Sequence, residues 1–154
     1  MRRSDKEITH ITAIEAVIAK ARVCRVAFSD ENQPYIVPLC FGYTSGYFYV
    51  HSAALGKKLD ILRNNPLVCV QLETGVEVIP GEGPCNWGMR YQSVTAMGKA
   101  RFVEDMEGKR QALDHIMARY TDQWTPFPEK ALNNTVVIEV EITQITGKQS
   151  GQPT

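Results

Sequence analysis

A chain of 154 residues is long enough for one domain with a substantial core, and 44% hydrophobic and 22% charged residues are typical of a globular protein. Basic and acidic residues number 17 each, so no basic excess indicates nucleic acid as a partner. No apolar run is long enough to span a bilayer or to follow the charged N-terminus as a secretory signal. We therefore expect one domain over residues 1–154, located in the cytoplasm, that binds neither membrane nor nucleic acid.

Hydrophobic periodicity and turn residues divide the first part of the chain into a helix, three strands and a second helix. Pro38 cannot donate a hydrogen bond to a ladder, so its strand lies at a sheet edge or is bulged there. The second helix is expected to place Leu55, Leu59 and Leu62 on its apolar face. The predicted elements are a helix over 12–21 that starts with the capping-box pair Thr12 and Glu15, strands over 23–28, Tyr35–Tyr43 and Tyr47–His51, and a helix from about Gly56 to Asn64.

The second part of the chain predicts three more strands and one helix, with a long glycine- and proline-rich excursion over residues 74–88. Asp105 is placed to cap the helix, and Gly98 to bend the long strand before it. These elements are strands over Leu67–Leu72 and Arg90–Val103, a helix with Leu113, Ile116, Met117 and Tyr120 on one face, and a final strand with Val136, Ile138, Val140 and Ile142 facing inward. Six strands joined mostly by hairpins, with peripheral helices, predict a mainly β fold built as a closed or split antiparallel barrel.

The four cysteines, Cys24, Cys40, Cys69 and Cys85, are widely spaced and include no Cys-x-x-Cys pair. The first three lie in apolar strand-like runs, where a thiol behaves as a small hydrophobic group. We therefore expect these cysteines to be free and buried, and we predict neither a disulfide framework nor a metal site.

The stretch Tyr47–Asn65 has the pattern of an anion-binding turn. Its strand delivers His51 and Ser52 to the start of a helix that opens with Lys57 and Lys58. Free backbone N–H groups and the positive end of the helix dipole suit a phosphate, and small residues in the turn let a ligand approach the backbone. An ordinary helix start with solvated lysines has the same spacing, so the pattern alone leaves both interpretations open. Neither a Walker loop nor a strand-following Gly-x-Gly-x-x-Gly fingerprint is present.

Three segments together resemble a known family. They are YIVPLCFGY, YFYVHSAALGKKLDILRNNPLVCVQLE and PCNWGMRYQSVTAMGKARFVED. They look like the flavin-binding split-barrel family related to pyridoxamine 5′-phosphate oxidase, and within it the nitroimidazole-resistance branch. The resemblance covers nearly the whole chain. It implies a six-stranded antiparallel split β-barrel of the FMN-binding type, forming a homodimer with two flavins in the grooves between subunits.

The resemblance also implies roles for particular residues. His51 corresponds to the position beside the redox centre and is the candidate catalytic residue. The residues carried over to flavin binding are Pro38 and Leu39 along the isoalloxazine ring, Ser52, Ala53, Lys57 and Lys58 at the phosphate turn next to His51, Tyr91, Ser93 and Val94 on the opposite side, and Trp124 towards the partner's flavin. Tyr35, Phe41, Tyr43 and Trp87 either line an aromatic slot for the ring or pack in the core.

The function implied is that of a flavin-dependent reductase. Reduced flavin passes electrons to a small aromatic acceptor such as a 5-nitroimidazole, His51 donates a proton or anchors the substrate, and an external donor such as NAD(P)H supplies the electrons. FMN is the expected cofactor, and the shared proximal phosphate leaves FAD open. A flavin store or redox sensor without efficient turnover is the alternative, and a haem- or F420-binding relative a third. The C-terminal ITGKQSGQPT lacks the Arg- and Pro-containing segment of true pyridoxamine-phosphate oxidases, which argues against vitamin B6 oxidation.

Overall fold

The computed structural model describes residues 3–151 of the chain. The strands are β1 (Glu7–Ile8), β2 (Cys24–Asp30), β3 (Gln33–Leu39), β4 (Phe41–Thr44), β5 (Tyr47–Ala53), β6 (Leu67–Ile79), β7 (Gly88–Val103) and β8 (Thr135–Ser150). The helices are α1 (Ile11–Lys20), α2 (Lys57–Asn64), α3 (Met106–Met117) and α4 (Glu129–Asn134), with short 3₁₀ turns at Ser4–Lys6 and Pro84–Asn86. No helix in the described part of the chain is long and apolar enough to cross a lipid bilayer.

The strands form one antiparallel sheet in the order β3-β2-β6-β7-β8-β5-β4, with β1 added along β8. The two end strands, β3 and β4, are consecutive in the chain, and only Cys40 separates them. The sheet must therefore curl until its two edges meet at Cys40. This geometry is a split β-barrel, and the predicted mainly β class is confirmed.

Two differences raise the strand count within residues 3–151 to eight, where six were predicted. The strand predicted over Tyr35–Tyr43 is interrupted at Cys40, and the two-residue strand β1 pairs with the end of β8. The interruption was not predictable locally, because the alternation of apolar side chains continues across it. Pro38 lies on β3, which pairs only with β2 in the described chain, so its predicted edge position is confirmed.

Tyr120 and Arg119, just after α3, hold the break between β3 and β4 in place. The Tyr120 hydroxyl accepts a hydrogen bond from the Phe41 amide at 3.1 Å and donates one to the Arg22 carbonyl at 2.8 Å. The Arg119 guanidinium lies 4.0 Å from the centre of the Phe41 ring and donates to the carbonyl of Ile18 near the end of α1 at 2.6 Å. These bonds tie α1, the start of β4 and the end of α3 together around the barrel closure.

Hydrophobic side chains pack in two layers on opposite faces of the sheet. The barrel interior contains the tilted aromatic pair Phe41 and Phe48, whose ring centroids are 5.7 Å apart, and α1 packs against this layer. Outside the barrel, α3 and α4 cover the other face, where Val137 is fully buried. Each large aliphatic or aromatic side chain buried here contributes about 1.5–3 kcal/mol. The adjacent residue Ile138 is buried inside the barrel, so β8 is covered on both faces.

The helix starts agree only in part with the sequence patterns. Asp105 caps α3 as predicted, since its carboxylate accepts from the Gly108 amide at 2.6 Å. The capping box at Thr12 is wrong, because α1 begins one residue earlier with His10 at the cap position and no side-chain capping bond. The predicted apolar face of α2 is wrong at Leu55, which is 83% exposed and lies before the helix.

The long excursion predicted over residues 74–88 is much shorter. β6 continues to Ile79 and β7 begins at Gly88, so only residues 80–87 form the loop. Glycine and proline residues in this stretch masked the strand signal, although the ladder here carries an irregularity between Thr74 and Glu77. A second register shift lies between Met97 and Gly98 in the β7–β8 ladder, but its extra residue, Thr143, is on β8, and β7 pairs with β6 in regular register through Gly98. The irregularity predicted at Gly98 is therefore present at this position of the sheet, and the partner strand carries it. Helix α4 was not predicted, because six residues after a proline carry too little periodicity.

The cysteines are all free, but their burial differs from the prediction. Cys24 is buried in the barrel, and desolvation raises the pKa of its thiol to about 12. Cys69 is half-buried, and desolvation raises its pKa as well. Cys40, predicted to be buried, is exposed because it occupies the gap between the two edge strands. Cys85 is exposed in the β6–β7 loop.

Candidate flavin-binding site

The candidate phosphate turn lies where the barrel closes. Phe41, the first residue of β4, pairs with Val50, which directly precedes His51 on β5. Pro38 and Leu39 end β3 immediately before the same closure. Their backbone is therefore brought to the end of the barrel where β5 passes into α2.

Ser52 provides an unpaired hydroxyl at this end of the barrel. Ser52 lies on the same face of β5 as Phe48 and Val50, so its side chain faces the barrel interior. The residue is 6% exposed. The buried hydroxyl oxygen has no hydrogen-bond partner within residues 3–151. Leaving such a group unpaired costs about 1–3 kcal/mol, so a ligand acceptor at this position would relieve that cost.

The turn after Ser52 presents free donors and positive charge. Gly56 is the N-cap residue of α2 and no side chain in the described chain caps the helix, so the first N–H groups of α2 are free for a ligand. Gly56 adopts a φ of 147°, and a Cβ built there meets no atom within 4 Å, so the turn is open to solvent. The Lys57 ammonium lies 5.2 Å from the centre of the Tyr35 ring of β3. Lys58 lies close enough to act electrostatically on His51.

His51 points to the other face of the sheet from Ser52. Residues that alternate along β5 occupy opposite sides, and Tyr49, two residues before His51, belongs to the outer layer beneath α3. Partial burial lowers the pKa of His51 from its usual 6.5, and the nearby Lys58 charge lowers it further. The imidazole borders an apolar cavity of about 230 Å³ under α3 and α4. It is therefore a neutral hydrogen-bonding group at neutral pH.

Tyr91 and Ser93 lie far from this cluster within one chain. His51 pairs with Val137 of β8 and Ser93 pairs with Lys148, which is eleven residues further along β8. At about 3.3 Å per residue the separation is roughly 35 Å of strand. One chain therefore does not bring both predicted halves of the flavin site together.

The remaining predicted flavin contacts have different surroundings. Val94 is 1% exposed and faces the barrel interior, so only its backbone is available to a ligand. Ala53 is exposed at the end of β5. Trp124 lies on the connector between α3 and α4, and its indole N–H donates to the Asp114 carboxylate at 2.8 Å.

The four aromatic residues that could line a slot for the flavin ring have different surroundings in the structure. Phe41 is fully buried in the barrel, and the Tyr43 hydroxyl donates to Glu15 of α1 at 3.1 Å, so both serve packing. Trp87 is 58% exposed in the β6–β7 loop. Among these four, Tyr35 is the one whose ring contacts the phosphate turn, through Lys57.

Six residues that line the cavity together with His51 were missed as site residues. They are Leu113, Ile116, Met117, Phe127, Ala131 and Thr135. The first three match a helical apolar face, which predicts core packing equally well. Phe127 follows Pro126 in an irregular connector, and its position over β5 depends on how α4 folds back, which no local pattern indicates.

The residues present fit the phosphate end of a flavin mononucleotide unit. A buried unpaired hydroxyl, free helix N–H groups and two lysines form a donor set that suits a phosphate. Within residues 3–151 no group of three or more His, Cys, Asp or Glu side chains is placed to hold a metal ion. The fold and this turn together define a split-barrel protein with a candidate anion site at the barrel closure.

The sequence model of the pyridoxamine 5′-phosphate oxidase family matches residues 11–149, so the chain belongs to that family. This confirms the resemblance drawn from the motifs. A solved structure of a candidate 5-nitroimidazole antibiotic resistance protein from Bacteroides thetaiotaomicron is similar at 38% identity and a TM-score of 0.85, covering 93% of this chain and 86% of that one.

Other relatives are more distant. An FAD-binding protein from Mesorhizobium loti is 28% identical with a TM-score of 0.67, over 93% of this chain and 96% of that one. The FAD and heme binding protein from Mycobacterium smegmatis is 20% identical with a TM-score of 0.85, over 97% and 76%, and shares the fold. An uncharacterized curated protein from Rhizobium meliloti is 34% identical over 58 residues, so the match spans 38% of that relative's length.

Proposed function

We propose that this protein binds a flavin and reduces a small nitroaromatic acceptor, such as a 5-nitroimidazole. The observation that carries the proposal is the buried Ser52 hydroxyl, which is unpaired within the described chain and lies near the end of β5, close to the open start of α2. Membership of the pyridoxamine 5′-phosphate oxidase family supports flavin as the ligand. The 38% identical relative described as a candidate 5-nitroimidazole resistance protein supports the acceptor class.

The phosphate is held by the turn between β5 and α2. Ser52 would donate its hydroxyl hydrogen to a bound phosphate, the free N–H groups at the start of α2 would donate to it, and Lys57 and Lys58 would neutralise its charge. Pro38 at the barrel closure flanks the ring. FMN is the expected cofactor. FAD carries the same proximal phosphate, and the relative described as FAD-binding supports FAD as the alternative cofactor.

The groove is completed by a second copy of the chain. Tyr91 and Ser93 lie roughly 35 Å of strand from the phosphate turn of their own chain, so they reach a flavin only from a partner subunit. Trp124 is assigned to the partner's flavin from the family resemblance alone. A homodimer with two grooves related by two-fold symmetry satisfies this requirement.

His51 acts on the acceptor and not on the phosphate. When bound, a reduced flavin supplies the electron pair for reduction of the acceptor. The His51 imidazole, neutral and held against an apolar wall on the outer face of β5, orients the acceptor by a hydrogen bond from its ring N–H. The electrons enter from an external donor such as NAD(P)H, since the chain has no nicotinamide-binding fingerprint.

The test begins with the absorbance spectrum of the purified protein and mass spectrometry of the released cofactor. The protein is then bleached anaerobically with NADPH or NADH, and 2-methyl-5-nitroimidazole is added. We expect the flavin absorbance to return at a rate that depends on the acceptor concentration, and to return more slowly in His51→Gln. A flavoprotein that bleaches but is not reoxidised by the acceptor would contradict the reductase proposal and leave flavin storage or redox sensing.

A further inference from the structure

The cavity beside His51 has properties that set it apart from the phosphate turn. It lies on the outer face of the sheet, between β5 and the α3–α4 layer, with a volume of about 230 Å³. Its lining residues are His51, Leu113, Ile116, Met117, Phe127, Ala131 and Thr135. Ser52 faces the opposite side of β5, so a molecule in this cavity is not the phosphate group.

The lining is apolar except at one point. The Thr135 hydroxyl is used within the protein, because it donates to the Ala131 carbonyl at 2.8 Å. Among the side chains of the lining, the His51 imidazole is therefore the one hydrogen-bond donor that remains for a ligand. No lysine, arginine or carboxylate is part of the lining, so a charged molecule would lose hydration without a partner.

The volume limits the size of the ligand. At about 230 Å³, the cavity is smaller than the roughly 300–1,000 Å³ of ordinary small-molecule pockets. A three-ring isoalloxazine is too large for it, whereas a single substituted ring fits. Met117 and Phe127 lie on α3 and on the connector, so they close the cavity away from the sheet.

Hydrogen bonds fix the α3–α4 layer that roofs the cavity. The Lys109 ammonium donates to the Thr135 carbonyl at 3.1 Å and to the Leu132 carbonyl at 3.3 Å, which ties α3 to the end of α4. Trp124 is bonded to Asp114 of α3, which pins the connector that carries Phe127. The cavity is therefore preformed, and a ligand does not need to order its walls.

From these observations we infer that the cavity is the acceptor site, and that Met117 and Phe127 set the size of the acceptor. The inference rests on the proposed reductase function and adds the location, charge and size of its substrate. The ligand is an uncharged molecule of one aromatic ring that carries a hydrogen-bond acceptor facing His51. A nitro group on a five-membered ring meets this description.

The experiment fills and enlarges the cavity. Titration calorimetry on the oxidised holoprotein measures the binding of 2-methyl-5-nitroimidazole, and absorbance of the same samples measures flavin content. Ala131 of α4 lines the cavity at a position that is open to solvent. Ala131→Leu places a larger apolar side chain there and is expected to weaken binding at least about tenfold. Ala16→Leu, at an exposed position on α1 that does not line the cavity, is the matched control and is expected to bind as the wild type does.

Met117→Ala tests the size limit in the opposite direction. It should admit 5-nitrobenzimidazole, a two-ring probe, about tenfold more tightly than the wild type, with flavin content unchanged. Equal affinity of the wild type and Ala131→Leu for the one-ring probe would overturn the inference, as would a crystal structure with a partner side chain seated in the cavity. A protein without flavin that still binds the probe here would contradict the reductase function alone.

Discussion

Ser52 and His51 are neighbouring residues of one strand to which we assign different roles. They are adjacent on β5, and strand geometry sends their side chains to opposite faces of the sheet. The inward residue is buried with an unpaired hydroxyl, and the outward residue borders the apolar cavity. The proposed contact with the flavin phosphate and the proposed contact with the acceptor therefore lie on opposite faces of β5.

Removing the Ser52 hydroxyl should affect folding and binding in opposite directions. In the apoprotein, Ser52→Ala removes a buried unpaired group, so the free energy of unfolding is expected to stay the same or rise by up to about 1 kcal/mol. With flavin, the lost hydrogen bond to phosphate should weaken affinity about tenfold or more. Urea unfolding and fluorescence titration measure the two effects, with Ser45→Ala in the exposed β4–β5 turn as the control. Unchanged flavin affinity would show that the phosphate lies elsewhere.

Lys58 should tune the protonation of His51. Burial is the larger cause of the lowered His51 pKa and the Lys58 charge is the smaller. In Lys58→Met the pKa is therefore expected to rise above its wild-type value but to stay below 6.5. Because the unfolded chain binds this proton more readily than the folded one, the His51 contribution makes the protein less stable as pH falls through 6.5. NMR titration of the imidazole resonances measures the shift, and a pKa equal to that of the wild type would refute the coupling.

Local sequence patterns indicate site residues that are neighbours in the chain better than those brought to the site from distant elements. His51, Ser52, Lys57 and Lys58 stand together in the sequence, and the structure keeps them at one end of the barrel. The cavity residue Phe127 carries no comparable signal, because it reaches the cavity beside His51 only through the packing of α3 and α4.

At the scale of elements, the break at Cys40 shapes the site. The alternation of apolar side chains predicts one strand over Tyr35–Tyr43. The structure keeps that alternation, but at Cys40 the chain passes from one edge of the sheet to the other. Whether a strand continues or crosses to another edge depends on distant partners such as Tyr120, which bonds the Phe41 amide. Long-range contacts of this kind have no local signature.

The packing of α3 on β4 depends on a residue without a side chain. A Cβ at Gly42 would lie 2.7 Å from the backbone carbon of His115 and 2.8 Å from the Ile116 nitrogen, and neither can give way as a flexible side chain would. Gly42→Ala should therefore push α3 outward and lower the free energy of unfolding by about 1–3 kcal/mol.

Gly88→Ala is the matched control for this change. A Cβ there meets only the Ile79 side chain at 3.8 Å, which is ordinary contact, and its unfolding free energy should change by less than about 0.5 kcal/mol. Urea unfolding of the two variants makes the comparison. Equal stability of the two would mean that α3 is not seated against β4 as closely as the structure has it.

At the scale of the whole molecule, hairpin-linked strands predicted the barrel class. They did not indicate that the two predicted halves of the flavin site lie far apart within one chain. The residues Tyr91 and Ser93 are as prominent in the sequence as Ser52, yet they lie at the far end of β7 and β8. Sequence order does not tell which subunit supplies each residue. The register of β8 against both β5 and β7 is what separates them.

Subunit mixing tests whether each groove is shared by two chains. A dimer of Lys58→Ala chains lacks the lysine in both grooves, and a dimer of Tyr91→Ala chains lacks the tyrosine in both. In a mixed dimer with two-fold symmetry, one groove carries both defects and the other carries none. Mixed dimers, isolated by two different affinity tags, should therefore bind about half the flavin of the wild type with wild-type affinity. If both residues came from one chain, every groove of the mixed dimer would be defective and no tight binding would return.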